Sequence, residues 1–266
     1  MNQEQRKMAP TTTGARNIAS AALFEQDANK GFQQVTQEDL ALPFLKVLGQ
    51  LSPEVNTRHA KHIDKAAPGM ILNTVTNELY DGAKGIQVIP CYYKREYVEW
   101  KERGESLGAP VAIHSTDSDV VASAKRDNMN KDRLPNGNYL ENTASHFVLV
   151  IGDTDIDTRH TSTALLTMKS TQLKTSKKWN TMMLGIRLKG KDGLFTPPTY
   201  SHVYKLKTVQ QSNDKGTWFG WDVNKIGTVQ DKAVYDQAKS FSQNISKGNV
   251  KAKHTSDSEK SESTPF

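Results

Sequence analysis

The chain has 266 residues, 36% of them AVILMFWYC, with a mean hydropathy of −0.65, which suits one large domain with polar ends that join no core. No apolar run approaches the ~20 residues of a membrane span, the start MNQEQRKMAPTTTGAR has no apolar signal core, and the one cysteine, Cys91, cannot close an internal disulfide, so the expected setting is a reducing cytoplasm away from membranes. The net charge of +6 is too modest to identify a partner by itself; what decides is where the cations cluster.

In chain order, residues 1–35 read as a flexible arm with one short helix. DLALPFLKVLGQL (39–51) is apolar, and Pro43 makes it a buried strand or a kinked element. GMILNTVTNELYDG (69–82) alternates around turn residues, and GIQVIPCYYKREYVEW (85–100) is a long aromatic and β-branched strand. Residues 102–141 are polar and turn-rich and read as an excursion from the sheet. SHFVLVIGD (145–153) and TSTALLTMKS (161–170) form a strand pair. In 171–193 the period changes toward a helix, with Leu173, Met182, Met183 and Ile186 as a partial apolar face. PPTYSHVYKLKTVQ (197–210) and TWFGWDVNKIG (217–227) form a hairpin. Val234, Ala238, Phe241 and Ile245 then mark an amphipathic helix started by Asp231. Residues 247–266 are polar and nearly free of apolar groups, and read as a disordered tail. The pattern is mainly β with minor α: an OB-fold-like β-barrel with an insertion near 102–141, a C-terminal helix and disordered ends. A β-sandwich is the competing fold.

The chemical signal is charge. Arg159, Lys169, Lys174, Lys177, Lys178, Arg187, Lys189 and Lys191 fall in one stretch with no Asp or Glu between the first and the last. Such a run is either a solvated basic face or a track for a polyanion. Trp179, Met182 and Met183 lie within it and Tyr200, Tyr204 and Lys205 follow, and cations interleaved with flat side chains are what a single-stranded nucleic acid requires. Strand alternation also puts Tyr93, Arg95 and Tyr97 on one face, with the two rings about 7 Å apart. They either stack on bases or pack across strands. In TWFGWD, Phe219 shares a face with Trp221 and opposes Trp218; one of these faces is core. The predicted groove thus holds Tyr93, Arg95, Tyr97, Lys169, Lys174, Lys177, Lys178, Trp179, Arg187, Lys189, Tyr204 and Lys205. It calls for no cofactor and no metal. At the far end, DSEKSESTPF offers Pro265 and Phe266 on a mildly acidic tail, a ring and a carboxylate for a partner's pocket.

Enzymatic readings find little footing. Asp153, Asp155, Asp157 and His160 could serve a magnesium-dependent nuclease, but calcium-loop positions six and twelve are Thr158 and Ala164. His59, His62 and Asp64 have no second ligand pair to close a zinc site, and the phosphate-loop, GxSxG and dinucleotide motifs are missing. A transcription cofactor acting without nucleic acid is the other rival.

LPFLKVLGQLSPEV (42–55), PGMILNTVTNELYDG (68–82), STQLKTSKKWN (170–180) and FTPPTYSHVYKL (195–206) resemble single-stranded DNA-binding proteins of tailed bacteriophages of the podovirus type, and the Pro-Phe tip resembles that of bacterial single-stranded DNA-binding proteins. The resemblance implies a non-catalytic protein that coats single-stranded DNA in phage replication and recombination in the host cytoplasm. It also implies partners at the tip: replication or recombination proteins, or host RNA polymerase. This tail is less acidic than the bacterial one and contains Lys260, which argues against strong closure of the tail onto the groove.

Overall fold

The computed structural model describes residues 21–28, 30–36, 39–102, 109–152, 161–214 and 216–250. The chain forms two compact units, Met1–Leu40 and Ala41–Phe266. The first contains α1 (Ala21–Gln26), the short helix expected in the arm.

In the second unit, β1 (Leu45–Val47), β2 (Ile71–Asn73) and β3 (Leu79–Tyr80) make a small antiparallel sheet. Asn77 turns the chain between β2 and β3 at φ 59, a left-handed conformation that Asn tolerates. The large sheet begins with β4 (Ile86–Trp100), and the chain then passes through β5 (Ala112–Ser115), α2 (Asp119–Ser123), β6 (Lys125–Arg126) and β7 (Asp132–Arg133). Where the sequence suggested an excursion from the sheet, the three strands β5, β6 and β7 join it. β5 pairs with β4, and β6 pairs with β7, which pairs with β8 (Tyr139–Ile151). Next come β9 (Thr161–Lys169), α3 (Leu173–Leu184), a two-stranded ribbon of β10 (Leu188–Gly190) and β11 (Gly193–Phe195), the hairpin β12 (His202–Asn213) and β13 (Gly216–Thr228), and α4 (Lys232–Ser246).

The five long strands lie in the order β9-β8-β4-β12-β13, all antiparallel, with α3 between β9 and β12 in sequence. The fold is mainly β with minor α, and the sheet curls into a half-barrel consistent with an OB-like barrel. A bulge between Pro90 and Tyr92 resets the alternation of β4, at a residue with no N–H to give the ladder.

Each face of the curled sheet has its own core. Val88, Val148, Leu166, Met168, Tyr204, Leu206, Trp221 and Val223 line the inner face, with Leu45 and Ile71 of the small sheet and Trp179 and Met183 of α3. Ile89, Cys91, Phe147, Leu149, Leu165 and Val203 line the outer face under Val234, Ala238, Phe241 and Ile245 of α4, the i, i+4, i+7 and i+11 stripe that the sequence predicts. Asp231 starts α4 by accepting hydrogen bonds from the amides of Ala233 at 2.7 Å and Val234 at 3.3 Å. Cys91 is buried, and burial pushes its thiol up to about 12, so it is a packing residue.

Candidate nucleic-acid interface

The two edges of the half-barrel, β9 and β13, do not pair with each other, and α3 bridges them. Gln172 Oε1 accepts the Trp221 amide at 2.8 Å, and Thr175 Oγ1 donates to the Trp221 carbonyl at 3.4 Å. These bonds occupy the free edge of β13. One side of α3 buries Ser176, Trp179 and Met183. The opposite side, at helical spacing, presents exposed Lys174, Lys177, Lys178, Thr181 and Leu184. Three cations of the run that the sequence shows, Lys174, Lys177 and Lys178, therefore form one outward stripe.

That stripe has little counter-charge. Residues 171–196 hold six cations and one acid, Asp192. Among the described residues no carboxylate pairs with Lys174, Lys177, Arg187, Lys189 or Lys191. Lys178, itself exposed, reaches the partly exposed Asp222 at 3.8 Å, a long surface pair of little worth. Lys174 faces Lys177 and Lys178 at i+3 and i+4, repulsions of about 0.2–0.5 kcal/mol each. The first turn has no acid to offset the positive end of the helix dipole. Arg187 has a local role too, donating to the carbonyls of Leu184 and Ile186 at the end of α3.

The predicted stacking residues need correction. Trp179 and Tyr204 are both fully buried. They belong to a ladder of rings: Tyr93 to His146 at 5.0 Å, His146 to Trp179 at 4.5 Å and nearly parallel, and Trp179 to Tyr204 at 5.7 Å edge-on. A base cannot reach Trp179 or Tyr204 without opening the core, so both are core residues. The signal misread was α3 itself: Trp179 sits at i+3 from buried Ser176 and i−4 from buried Met183, on the opposite side from the lysines. Tyr93, half-buried, is the end of the ladder nearest solvent. Below it on the same face, exposed Arg95 donates to Asn142 Oδ1 at 3.0 Å and lies 5.9 Å from the centre of the Tyr97 ring. Among the described residues no carboxylate pairs with this trio's cation.

Two further predicted residues separate from the stripe. Lys205 alternates with buried Tyr204 and so projects from the other face of β12. Lys169 is half-buried and bound to Glu141 at 3.2 Å. In TWFGWD the core face is that of Trp221 and Phe219, whose ring covers Gly69, while Trp218 bonds Gln211 at 3.0 Å. The outer face of β8 and β9, where OB-type barrels commonly take oligonucleotides, is occupied by α4 with Leu42 and Phe44.

Sequence reasoning passed over the ribbon. Leu194 and Phe195 in β11 are exposed to 74% and 47%, beside Lys189 and Lys191. The available signal was the turn KGKDG (189–193) followed by two apolar residues. Asp153, Asp155, Asp157, Arg159, His160, Pro265 and Phe266 lie outside the described residues. Among the described residues no group of three His, Cys, Asp or Glu could hold a metal. His59 Nδ1 meets the Lys61 amide at 3.1 Å and His62 Nδ1 the Glu54 carbonyl at 3.0 Å, local bonds within their loop. No helix among the described residues is long and apolar enough to cross a membrane.

Comparison with known proteins supplies a family and no function. The sequence profile of the Pam3 phage gp34-like protein family matches residues 12–251. No curated protein matches, and no solved structure matches. The chain belongs to this phage family.

Proposed function

We propose that this phage-family protein is a non-catalytic, sequence-independent single-stranded DNA-binding protein that coats DNA during replication and recombination. The observation that carries this reading is the outward stripe Lys174, Lys177 and Lys178, followed in sequence by exposed Arg187, Lys189 and Lys191 with a single acid among them. The repulsion within α3 costs stability that a bound polyanion would recover. With the outer face of β8 and β9 covered by α4, the strand runs along α3 and the ribbon. Tyr93, Arg95 and Tyr97 supply a second contact, with the open side of Tyr93 available to a base.

Changing Lys177 and Lys178 together to Ala should weaken binding to a fluorescent oligo(dT). The log–log salt slope should flatten by about 1.4, at roughly 0.7 per lost phosphate contact. An unchanged slope removes α3 from the interface, and magnesium-dependent cleavage of the oligonucleotide would replace the reading with a nuclease. Pro265 and Phe266 are proposed to recruit a replication or recombination protein, or host RNA polymerase. Deleting both should leave oligo(dT) affinity intact and abolish capture of the partner; capture at wild-type strength would remove the tip from this role.

A further inference from the structure

We propose that the β10–β11 ribbon is a base-stacking element, with Phe195 as its platform; this rests on the single-stranded DNA reading above. In the ribbon's register Leu188 pairs with Phe195, Lys189 with Leu194, and Gly190 with Gly193. Phe195 therefore shares a face with Gly190, and Leu194 shares the other with Lys189. The Phe195 ring rests where a side chain at 190 would lie: a Cβ there would stand 3.1 and 3.3 Å from two of its carbons. One side of the ring is thus braced by backbone, while 47% of the residue stays exposed.

A two-stranded ribbon has little stability of its own, and this one leaves Leu194 and Phe195 uncovered on opposite faces. A flat surface that suits both an exposed ring and flanking ammonium groups is a nucleobase with its phosphates. A second copy of the chain fits less well. A two-fold contact through the ribbon would set Arg187, Lys189 and Lys191 against their own copies with only Asp192 to offset them. Phe195 takes the stacking role that burial denies to Trp179 and Tyr204, at the end of the lysine stripe rather than within it.

The test is titration of the full chain with fluorescent oligo(dT) at two salt concentrations. Phe195→Ala should lower affinity roughly 5- to 150-fold, the worth of one stacked base, with the salt slope unchanged. Phe195→Trp should restore binding. Oligonucleotides carrying 5-iododeoxyuridine should photo-crosslink to a peptide containing Phe195. Circular dichroism should give the same melting curve for both variants as for wild type, since the residue lies outside both cores. Wild-type affinity in Phe195→Ala, beside weakened binding in the Lys177/Lys178 variant, overturns the ribbon's role and leaves the α3 reading standing. Failure of the wild-type chain to bind oligo(dT) at all removes both. A dimer in light scattering that Phe195→Ala dissociates, with affinity unaltered, assigns the ribbon to self-association instead.

Discussion

His146 carries the most consequential burial in the chain. It is wholly enclosed between Tyr93 and Trp179, with Nε2 on Ser176 Oγ at 2.8 Å, and desolvation drives its pKa down to about 3. Among the described residues, Nδ1 of His146, Nε1 of Trp179 and the Tyr204 hydroxyl have no hydrogen-bond partner, so the Nδ1–H of a charged imidazolium would be left without an acceptor. The unfolded chain, with a histidine near 6.5, takes up a proton that the native chain refuses. Stability from this residue is therefore complete above about pH 6.5 and falls as the pH drops toward 3, by up to ~1.4 kcal/mol per unit. Urea unfolding of wild type and His146→Gln between pH 7.5 and 4 should show the wild type losing more stability on acidification. Parallel curves would mean that the imidazole is not held neutral by its enclosure. By the same burial, replacing Trp179 should change folding stability and not base stacking.

At the level of elements, legibility followed the length of the periodic signal. β4, β8 and β9 were readable because their runs are long and rich in β-branched and aromatic residues, and α4 because its stripe runs from Val234 to Ile245 behind an Asp cap. The helix in 171–193 was only half visible. Its buried side needs just Ser176, Trp179 and Met183, because it plugs a gap between two edges instead of lying across a sheet. Residues 102–141 misled because β6 and β7 are two residues each. Turn composition dominates so short a stretch, and the pairing of β5 with β4 is a tertiary effect that local propensity does not contain. The candidate site divides along the same line. Clustering of the lysines is a property of sequence and survived folding. Which rings face solvent depends on what packs over them, and that separated Phe195 from Trp179.

Seen whole, the half-barrel is held shut by two devices. α3 spans the β9 and β13 edges. The small sheet, which shares the inner core with α3, is tied to β9 by the Leu165 amide on the Pro43 carbonyl at 2.8 Å, and to β12 by the Thr208 amide on the Gly82 carbonyl at 2.9 Å. The second tie is tight. Thr208 Oγ1 also donates to the Gly69 carbonyl, and a Cβ on Gly82 would stand 1.9 Å from that carbonyl oxygen and 2.1 Å from Thr208 Oγ1. Neither backbone nor a bonded hydroxyl can yield that distance locally, so Gly82→Ala must part the small sheet from β12. Leu45 and Ile71 share the inner core with Val88, Leu206 and Trp221, so parting them exposes apolar surface far from residue 82. We expect a loss of about 2–4 kcal/mol in urea unfolding, in the range of mutations that break core packing. Faster amide exchange should appear both in β2 and in β12. Thr208→Val removes the hydroxyl bond with no added backbone clash, and should give the same pattern at smaller amplitude. Faster exchange confined to residues 68–84, with the unfolding midpoint unmoved, would show that the tie anchors a loop and that α3 alone closes the barrel.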